Sequence, residues 1–538
     1  MNALYSLLPS RWTSSAYTRV PQASGSRSNG ARFSRSRGAS PWARTVILAA
    51  VFGAFTFLVV LVGRGWSSDA EEPLPPPPLE PWISPMNRTG PRTAVDDLLD
   101  RQSTTFERAV ARYTLKTGRR PPRGYGAWYV LARTRRCLID DYDQIHHDFE
   151  PFHQLAQKDK KYFRKMVERV KKLAGPTAPG IQVLTMEKGV PSGTEERSSL
   201  YNDNDAWMAM LKNLGVSLPD LNLNAIINHR EEPRVSFDVR VVARDTSASA
   251  SAKKAMQAND PTPFRTAPRP TSEYFTDAGH CLVPTDPNGF VRYANNASSF
   301  LLSSASVGFT TDLYPVLSGS KIYPCFADIL VPSKSDYAST VPSDVAWEDK
   351  KPVLYWRGDS PGGWISGDNY HGFPRFRLLD LARNISQTHA DPIMDVGITN
   401  LDESFCHSTE CYSDGIKTEY NIPAKEQRED AYKYLLDLDG NTSSGRFLKL
   451  LKSGSLVFKS TLFTEYFTPW LRPFEHYIPV LPDLSDLVER IEWARANDDE
   501  ARRIQAAGKE FAERVITPEQ DDCYWAAVLV EWAGLQRT

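Results

Sequence analysis

The segment from Tyr432 to Phe458 constrains the fold more than any other part of the sequence. Its first residues, YKYLLDLDG, predict an apolar strand that ends at Gly440. A short polar loop follows, then a helix, FLKLLKSG, and a second strand, SLVFK. A chain that leaves a strand, crosses through a helix and re-enters the sheet pairs its two strands in parallel. This unit therefore predicts a parallel, Rossmann-like sheet.

Strands and helices alternate elsewhere in the chain as well. Further strands are predicted at Ile181–Met186, Asn224–His229 and Lys351–Gly358, and helices at Asp159–Gly175, Arg375–Asn384 and Asp486–Asp498. The first of these helices has an apolar face formed by Phe163, Met166, Val167, Val170 and Leu173. We therefore predict an α/β fold, with the break between two folded halves within residues 335–350.

Length and composition limit the class of protein. With 538 residues, the chain is too long for one compact core, which suggests two domains with tails. Its 41% hydrophobic residues exclude a wholly disordered or collagen-like chain. The formal net charge of −1 provides no basic excess, so no nucleic-acid partner is predicted.

The amino-terminal segment is predicted to anchor the chain in a membrane. Residues 1–44 contain seven arginines and no lysine or acidic residue, and residues 45–63 carry no charge. As a helix, residues 45–63 span about 28 Å, close to the thickness of a bilayer core. The positive-inside rule then predicts a basic cytosolic tail (1–44), a single transmembrane signal anchor (45–63), a Pro-rich stem (64–115) and a luminal globular part. A cleaved signal peptide, a mitochondrial transit peptide and a buried core helix each explain less of this pattern.

All six cysteines follow the predicted anchor, where an oxidising lumen permits disulfide bonds. Cys406 and Cys411 are close enough in sequence to close one loop, and the pairing of the other four stays open. Four N-x-S/T glycosylation sequences are present. The one at Asn441 lies in the polar loop, where a glycan would block a ligand, so we expect Asn441 to be bare.

The polar loop that follows Gly440 has the composition of an anion site. Ser443 and Ser444 supply hydroxyls and backbone N–H groups, and Arg446 can direct two hydrogen bonds onto phosphate oxygens. The alternative is a well-capped helix, although an arginine at a helix start is slightly unfavourable for the helix dipole. An NTPase is not predicted, because Arg446 and the phenylalanine after it replace the lysine and the magnesium-binding Ser/Thr of a P-loop.

A second group of cations follows the predicted strand Lys351–Gly358. Arg357 and Gly358 end this strand, and Arg375 lies on the next predicted helix, two residues before Arg377. Together these arginines suit a pyrophosphate leaving group. Each one alone is more commonly a surface ion-pair partner.

A metal site is a competing interpretation. Asp203–Asp205 and Asp437–Asp439 both have the D-x-D pattern that binds manganese and nucleotide in some glycosyltransferases. With 65 acidic residues, such triplets also arise by chance. The His and Cys spacings typical of metal sites are absent from the sequence. We therefore predict no metal ligands.

Several motifs in sequence order resemble glycosyltransferase family 90, which contains fungal capsule-associated xylosyltransferases and animal protein O-glucosyltransferases. The motifs are YWRGDSPGG, YKYLLDLDGNTSSGRFLKLLKSGSLVF and HYIPVLPDLSDLVERIEWARANDDEARRI, and DYDQIHHDFEPF resembles the fungal branch. The resemblance covers residues 120–530 and is loose from Val235 to Ser335.

This resemblance implies a GT-B fold, in which two Rossmann-like domains face each other across a cleft. The acceptor domain would occupy residues 116–340, and the nucleotide-sugar domain, with a closing helix, residues 341–538. It further implies an inverting reaction without a metal or other cofactor, with a UDP-sugar as donor substrate.

Individual residues correspond to the motifs of the family. The catalytic base of the family's protein O-glucosyltransferases, an aspartate in an L-P-D motif before an apolar strand, corresponds to Asp220. The arginine of its W/F-R-G motif corresponds to Arg357, and its phosphate loop to Gly440 through Arg446. The family's R-D-x-P segment is present in altered form, as REEP at residues 230–233.

The expected function is sugar transfer from a UDP-sugar to a hydroxyl of a glycan or glycoprotein in the Golgi or ER lumen. UDP-xylose is the first choice of donor and UDP-glucose the second. Trp356, Tyr432 or Tyr434 would stack on the uracil, with core packing as the default for each. The alternatives are a non-catalytic glycan-binding or scaffold protein of the same fold and a metal-dependent D-x-D glycosyltransferase.

Overall fold

The computed structural model describes residues 92–174, 180–193, 204–229, 233–235, 312–323, 326–333, 345–360, 365, 367–389, 391–406 and 411–537. Within these residues, no helix is both long and apolar enough to cross a membrane. The predicted tail (1–44) and signal anchor (45–63) lie outside the described residues, as does Asp203.

Twelve helices are described. They are α1 (Ala94–Asp100), α2 (Phe106–Thr117), α3 (Tyr125–Thr134), α4 (Asp143–Lys158), α5 (Tyr162–Leu173), α6 (Asn204–Ser217), α7 (Pro374–Ile385), α8 (Ser413–Tyr420), α9 (Phe447–Lys452), α10 (Leu487–Ala496), α11 (Asp498–Arg514) and α12 (Pro518–Arg537). The predicted apolar face of α5 is confirmed, because all five of its residues are buried. Helices α1 and α2 occupy the end of the segment predicted as stem.

Twelve strands form two five-stranded sheets and a small ribbon within the described residues. They are β1 (Ile181–Glu187), β2 (Val190–Gly193), β3 (Leu223–Asn228), β4 (Leu317–Ser318), β5 (Ser320–Lys321), β6 (Ile329–Leu330), β7 (Lys351–Gly358), β8 (Met394–Ile398), β9 (Tyr432–Leu438), β10 (Leu456–Ser460), β11 (Thr464–Glu465) and β12 (Ile478–Pro479). The first sheet has the order β2-β1-β3-β4-β6, and the second β12-β10-β9-β7-β8.

The second sheet is parallel at every pairing, as the alternation of strands and helices predicts. Strand β9, helix α9 and strand β10 form the unit expected from the segment after Tyr432. The central strands β9 and β10 are buried on both faces and are largely apolar, whereas β7 and β8 have half-buried or exposed residues.

The first sheet corrects the expectation of parallel sheets throughout. Strand β1 pairs antiparallel with both β2 and β3, whereas β3, β4 and β6 are parallel. The β1–β2 connection is a two-residue turn at Lys188 and Gly189, with φ of 49° and 74°. Positive φ at both positions matches the turn that joins antiparallel strands with their natural twist. The fold is therefore mixed α/β.

Helix α12 links the two ends of the described chain. Its residue Cys523 forms a disulfide with Cys137, which follows α3. The indole of Trp128 on α3 donates to the Cys523 carbonyl at 3.0 Å, and the indole of Trp532 donates to the Asn224 carbonyl on β3 at 2.8 Å. These contacts fix the helices of the amino-terminal half and the first sheet against the carboxy-terminal helix.

A second disulfide joins Cys406 and Cys411, which confirms the predicted loop closure. The two remaining cysteines, Cys281 and Cys325, lie outside the described residues.

The two-stranded ribbon connects the two halves of the chain. Strand β11, which follows β10 of the second sheet, pairs antiparallel with β5, which follows β4 of the first. The register places Glu465 opposite Ser320 and Thr464 opposite Lys321.

Candidate active site

The strand order of the second sheet defines a crevice at its carboxyl edge. Along the chain, β7 is followed by β8 on one side and by β9 on the other, which gives the order 2-1-3-4-5. In open parallel sheets of this order, ligands bind outside the carboxyl ends of the first and third strands, where the winding direction changes. Here those ends are Gly358 on β7 and Leu438 on β9.

Two arginines predicted from sequence meet at this point. The guanidinium groups of Arg375 and Arg446 lie 5.6 and 5.9 Å from the ring centre of Trp356. Arg375 donates to the carbonyls of Asp359, at 2.6 Å, and Asp439, at 3.2 Å, so it connects the ends of β7 and β9. Arg446 donates to the carbonyl of Arg357.

Arg446 has no acidic partner in the described part of the chain, and its side chain is only half buried. A guanidinium held by a carbonyl keeps its full positive charge and further N–H donors. Such a group at the carboxyl edge of a parallel sheet is suited to an anion.

Gly440 lies directly against the Arg375 side chain. A Cβ built on Gly440 would approach the Arg375 guanidinium nitrogen to 2.5 Å. Gly358 is similarly restricted, because its Cβ would lie 2.9 Å from the Trp356 ring. The two predicted glycines therefore make room for the arginine–tryptophan cluster.

Arg357 has a different environment from the one predicted. Its guanidinium donates to Asp395 Oδ1 at 2.6 Å and to the carbonyls of Lys425 and Asp395, each at 2.9 Å. It also stacks on Tyr355, 4.8 Å from the ring centre. The Arg357 side chain therefore links β7 to β8, and the Arg357 backbone carbonyl accepts a hydrogen bond from Arg446.

Asp395 is ionised in this arrangement. Burial raises the pKa of its carboxyl, but the hydrogen bonds from Tyr432 and Arg357 outweigh burial, and the net pKa is lowered. The hydroxyl of Tyr432 donates to Asp395 Oδ2 at 2.6 Å, and its ring stacks on Tyr355.

The three aromatic residues proposed to contact uracil are all buried. Trp356 and Tyr434 are 1% and 0% exposed and belong to the core of the second sheet. Tyr432 is 3% exposed in the stack with Tyr355. The structure thus places all three in the core, which was the default for each.

The loop 440–446 differs in detail from the predicted helix cap. Helix α9 begins at Phe447, and Arg446 precedes it without a side-chain cap. The Ser444 hydroxyl accepts from the Arg446 backbone N–H at 3.4 Å. Ser443 hydrogen-bonds Glu465 of β11. The side-chain oxygen of Asn441 is buried without a hydrogen-bond partner among the described residues.

Behind this loop lies a buried cluster of three carboxylates and one ammonium group. The Lys459 Nζ lies 2.8 Å from Asp437 Oδ2, 3.4 Å from Glu465 Oε2 and 4.0 Å from the ring centre of Phe447. Burial opposes the charge of Lys459, yet Asp437 and Glu465 hold its pKa above the ordinary value. Burial raises the pKa of Asp439 to about 7 and also raises that of Glu465.

This cluster bears on the D-x-D interpretation of Asp437 and Asp439. The Lys459 ammonium occupies the position between Asp437 and Glu465 that a cation would take. Groups of three or more His, Cys, Asp or Glu side chains able to hold a metal ion are absent from the described residues. The local pairing accounts for Asp437 without a metal.

The contacts described for Asp220 involve the turn before β3 and the end of α12, and none of them includes Arg375 or Arg446. Asp220 is exposed and precedes β3, at the amino end of that strand. Its carbonyl accepts from Arg537, at the end of α12, whereas Tyr466, next to Glu465, donates to Asp521 in the first turn of the same helix. Sixteen residues of helix separate Asp521 from Arg537, about 24 Å along the axis.

The first sheet holds a closed ring of hydrogen bonds that sequence reasoning missed, formed at the carboxyl ends of β3 and β4 and at the start of β6. Asn228 donates to Ser318 at 3.2 Å, and Ser318 donates to Asp328 at 2.6 Å. Asp328 also accepts from the backbone N–H of Arg234 at 2.8 Å, and Arg234 donates to Asn228 at 3.3 Å. All four residues are buried. Asn228 and Arg234 precede their partners Ser318 and Asp328 by 90 and 94 residues, so no local pattern could reveal the ring.

Comparison with known proteins agrees with the resemblance seen in the motifs. Residues 336–538 match the family model described as glycosyl transferase family 90. Protein O-glucosyltransferase 2 of Danio rerio is 40% identical over 193 residues, which cover 36% of this chain and 34% of that protein. Protein O-glucosyltransferase 1 of Rattus norvegicus is 41% identical over 103 residues, covering 19% of this chain and 26% of that protein.

The matched region thus spans about a third or less of these relatives. A solved structure, sucrose-phosphate synthase (tll1590) from Thermosynechococcus elongatus, shares 15% sequence identity and covers 58% of this chain and 66% of that chain. Its TM-score of 0.24 is too low to support an argument.

The carboxy-terminal part of the chain is therefore similar to glycosyltransferases. Residues 336–538 match the model of glycosyl transferase family 90, in agreement with the motifs.

Proposed function

We propose that this protein is an inverting, metal-independent glycosyltransferase that transfers a sugar from a UDP-sugar to a hydroxyl of a glycan or glycoprotein. The donor would lie at the carboxyl edge of the second sheet and the acceptor on the side of the first, in a GT-B arrangement of two domains (116–340 and 341–538). The observation that carries the proposal is the convergence of Arg375, Arg446 and Gly440 at the switch point of the second sheet.

The chemistry of the donor suits this cluster. Cleavage of the bond between the sugar and the diphosphate leaves negative charge on the departing UDP, and positioned cations stabilise that charge. Arg446 would bind the diphosphate through its guanidinium, and the backbone N–H groups of Ser443 and Ser444 would support it. The hydroxyl of Ser443 is engaged by Glu465, so we assign its backbone rather than its hydroxyl to the phosphate.

Arg357 would act indirectly as the residue that presents its carbonyl to Arg446. Its own guanidinium is occupied by the Asp395 carboxylate and by three backbone carbonyls, those of Trp356, Asp395 and Lys425. Direct contact of Arg357 with the diphosphate, which the resemblance implies, would require these bonds to exchange when the donor binds.

The resemblance assigns the role of general base to Asp220, whereas the topology of the strands favours a different carboxylate. Catalytic groups in α/β domains lie at the carboxyl ends of strands, and Asp220 precedes β3 rather than following it. The first carboxylates after β3 in the sequence are Glu231 and Glu232, in the altered R-D-x-P segment. Either candidate must reach the acceptor hydroxyl to accept its proton as the hydroxyl attacks the anomeric carbon.

A matched set of substitutions decides between them. If Asp220 is the base, Asp220→Asn lowers the turnover rate by about 100-fold or more while UDP binding is retained, and Glu231→Gln transfers sugar normally. The reverse result assigns the base to Glu231 and overturns Asp220. The measurement is initial transfer rate together with UDP titration for both variants.

The donor sugar is proposed as xylose first and glucose second, from the resemblance to the fungal branch. A panel of UDP-xylose, UDP-glucose, UDP-glucuronate, UDP-galactose and GDP-mannose with the full-length protein identifies it. The panel is run with and without EDTA. Loss of activity in EDTA would favour the metal-dependent alternative, and failure to bind any donor would favour a non-catalytic glycan-binding or scaffold protein.

The cellular context is proposed from the amino-terminal sequence. Residues 45–63 would form a single type II span in the Golgi or ER membrane, with the catalytic part in the lumen. The disulfides Cys137–Cys523 and Cys406–Cys411 support an oxidising compartment for that part. Protease protection in sealed microsomes, with antibodies to the two termini, tests this orientation.

A further inference from the structure

Asp439 joins two loops that leave neighbouring strands at the carboxyl edge of the second sheet. It follows the last residue of β9 and directly precedes the loop 440–446. Its side-chain Oδ2 accepts from the backbone N–H of Leu462 at 2.7 Å and from the side chain of Thr461, in the turn after β10. Its backbone carbonyl accepts from Arg375 at 3.2 Å.

Among the described hydrogen bonds, those of the Asp439 side chain are the only ones that connect the turn at residues 461–463 to the start of the loop 440–446. The turn itself is internally braced, because the Phe463 N–H donates to Thr461 Oγ1 at 3.0 Å. It leads directly into β11, which pairs with β5 of the other half of the chain. Asp439 therefore links the arginine cluster, the loop 440–446 and the connection between the two halves.

We propose that Asp439 is a positioning residue of the donor site, which fastens the loop 440–446 to the turn 461–463 so that the diphosphate-binding groups keep their geometry. The inference rests on the proposed function, since it assigns the loop 440–446 to the donor diphosphate. It concerns a residue that would not itself touch the donor.

The electrostatic surroundings give this role a pH dependence. Asp439 is 7% exposed, and its Oδ1 has no hydrogen-bond partner in the described part of the chain. Lys459 on β10 lowers the pKa of Asp439, and Asp437 on β9 raises it. Glu465 of β11 pairs with Lys459, and Arg375 of α7 donates to the backbone carbonyl of Asp439. Burial is the largest effect and raises the pKa to about 7.

A diphosphate bound in the adjacent loop adds negative charge and raises the Asp439 pKa further. Donor binding then takes up a proton above neutral pH, so donor affinity falls as the pH rises. If the donor shifts the Asp439 pKa by one unit, affinity decreases about tenfold between pH 6 and pH 9.

The experiment measures binding of UDP-xylose and UDP-glucose to the full-length protein by calorimetry from pH 6 to pH 9. These donors are used because their diphosphate, esterified at both ends, does not itself titrate in this range. Asp439→Asn keeps an amide oxygen to accept from Leu462 and cannot ionise. We expect it to bind within about threefold of the wild type at pH 6 and to lose most of the pH dependence.

Asp439→Ala removes both hydrogen bonds and also cannot ionise, so we expect it to bind about tenfold more weakly than Asp439→Asn at every pH. Asp521→Asn is the matched control. Asp521 is another buried aspartate, and burial raises its pKa to about 7. It lies on α12, away from the loop 440–446, and accepts a hydrogen bond from Tyr466. Its substitution changes stability with pH but leaves the pH dependence of donor binding unchanged.

Wild-type affinity of Asp439→Ala at pH 6, or full pH dependence in Asp439→Asn, would overturn the inference. If the wild type binds neither donor, the proposed function fails instead. In that case amide hydrogen exchange without ligand decides the positioning role. Faster exchange of residues 440–446 in Asp439→Ala than in Asp439→Asn supports it, and equal exchange refutes it.

Discussion

The charged side chains near the two sheets are paired differently. Beside the first sheet, Lys321 forms a buried ion pair with Asp148 and donates to the backbone carbonyl of Asp328. Beside the carboxyl edge of the second sheet, Arg446 is half exposed, lies near the Trp356 ring and donates to a carbonyl, with no acidic partner among the described residues. A buried charge with a partner of opposite charge stabilises the fold, whereas a half-exposed cation without an acidic partner is suited to bind an anion.

The comparison also distinguishes Arg446 from Arg357, two residues that sequence motifs treat alike. Arg357 resembles the buried charges of the first sheet, because Asp395 neutralises it. Arg446 has no such acidic partner among the described residues and can still bind an anion. The following substitutions test this division from the largest expected effect to the smallest.

Asp328→Ala should have the largest effect, on stability. Asp328 accepts from Ser318 and from the backbone N–H groups of Arg234 and Val235, and its loss leaves these buried donors unsatisfied. We expect a loss of about 3–5 kcal/mol in the free energy of unfolding, measured by urea denaturation. Asp328→Asn, which keeps one acceptor oxygen, should lose less. A folded Asp328→Ala variant with wild-type stability but no UDP binding would reverse the assignment of this edge.

Arg446→Ala should weaken UDP binding by about 10- to 100-fold, because it removes the cation that has no internal partner. Its stability should change little, since the side chain makes one hydrogen bond to a carbonyl. The measurement is UDP titration with a parallel thermal melt. Arg383→Ala, an exposed arginine of α7 that pairs with Asp380, is the control and should bind UDP normally. Unchanged titration in Arg446→Ala would remove it from the phosphate site.

Gly440→Ala should have the smallest effect. Its backbone is not in the left-handed region, so alanine costs no strain there, but its methyl group would displace the Arg375 guanidinium. Because a flexible side chain can yield, we expect about a fivefold loss of UDP affinity, about 1 kcal/mol, and little change in melting temperature. Loss of folding in Gly440→Ala would show that the glycine serves the backbone rather than Arg375.

Much of the fold is predictable from local pattern. The strand β7 has the predicted bounds, and α7, β9, α9 and β10 agree to within about two residues. These segments are strongly apolar or periodic, so local sequence determines their type. The antiparallel pairing of β1 was missed, since strand direction depends on the Lys188–Gly189 turn and on which neighbour the strand meets.

The candidate site was predictable in composition and less so in geometry. The glycines and Arg446 follow from the pattern of a strand, a polar loop and a helix. The capture of Arg357 by Asp395 involves a partner 38 residues away, and no local motif records it. The D-x-D triplet of Asp437 and Asp439 has another explanation in Lys459, which reaches it from the neighbouring strand.

The sequence by itself determined which segments become strands and helices, and which polar residues follow a strand that ends in glycine. Hydrophobic periodicity and loop chemistry are local properties, so they can be recognised without the fold. Only the tertiary structure decided which cations are neutralised and which remain available, because charges interact over distances that chain connectivity does not specify. The motif likewise defines the place of Asp220 before β3, but only the tertiary structure shows that its carbonyl accepts from Arg537 at the end of α12.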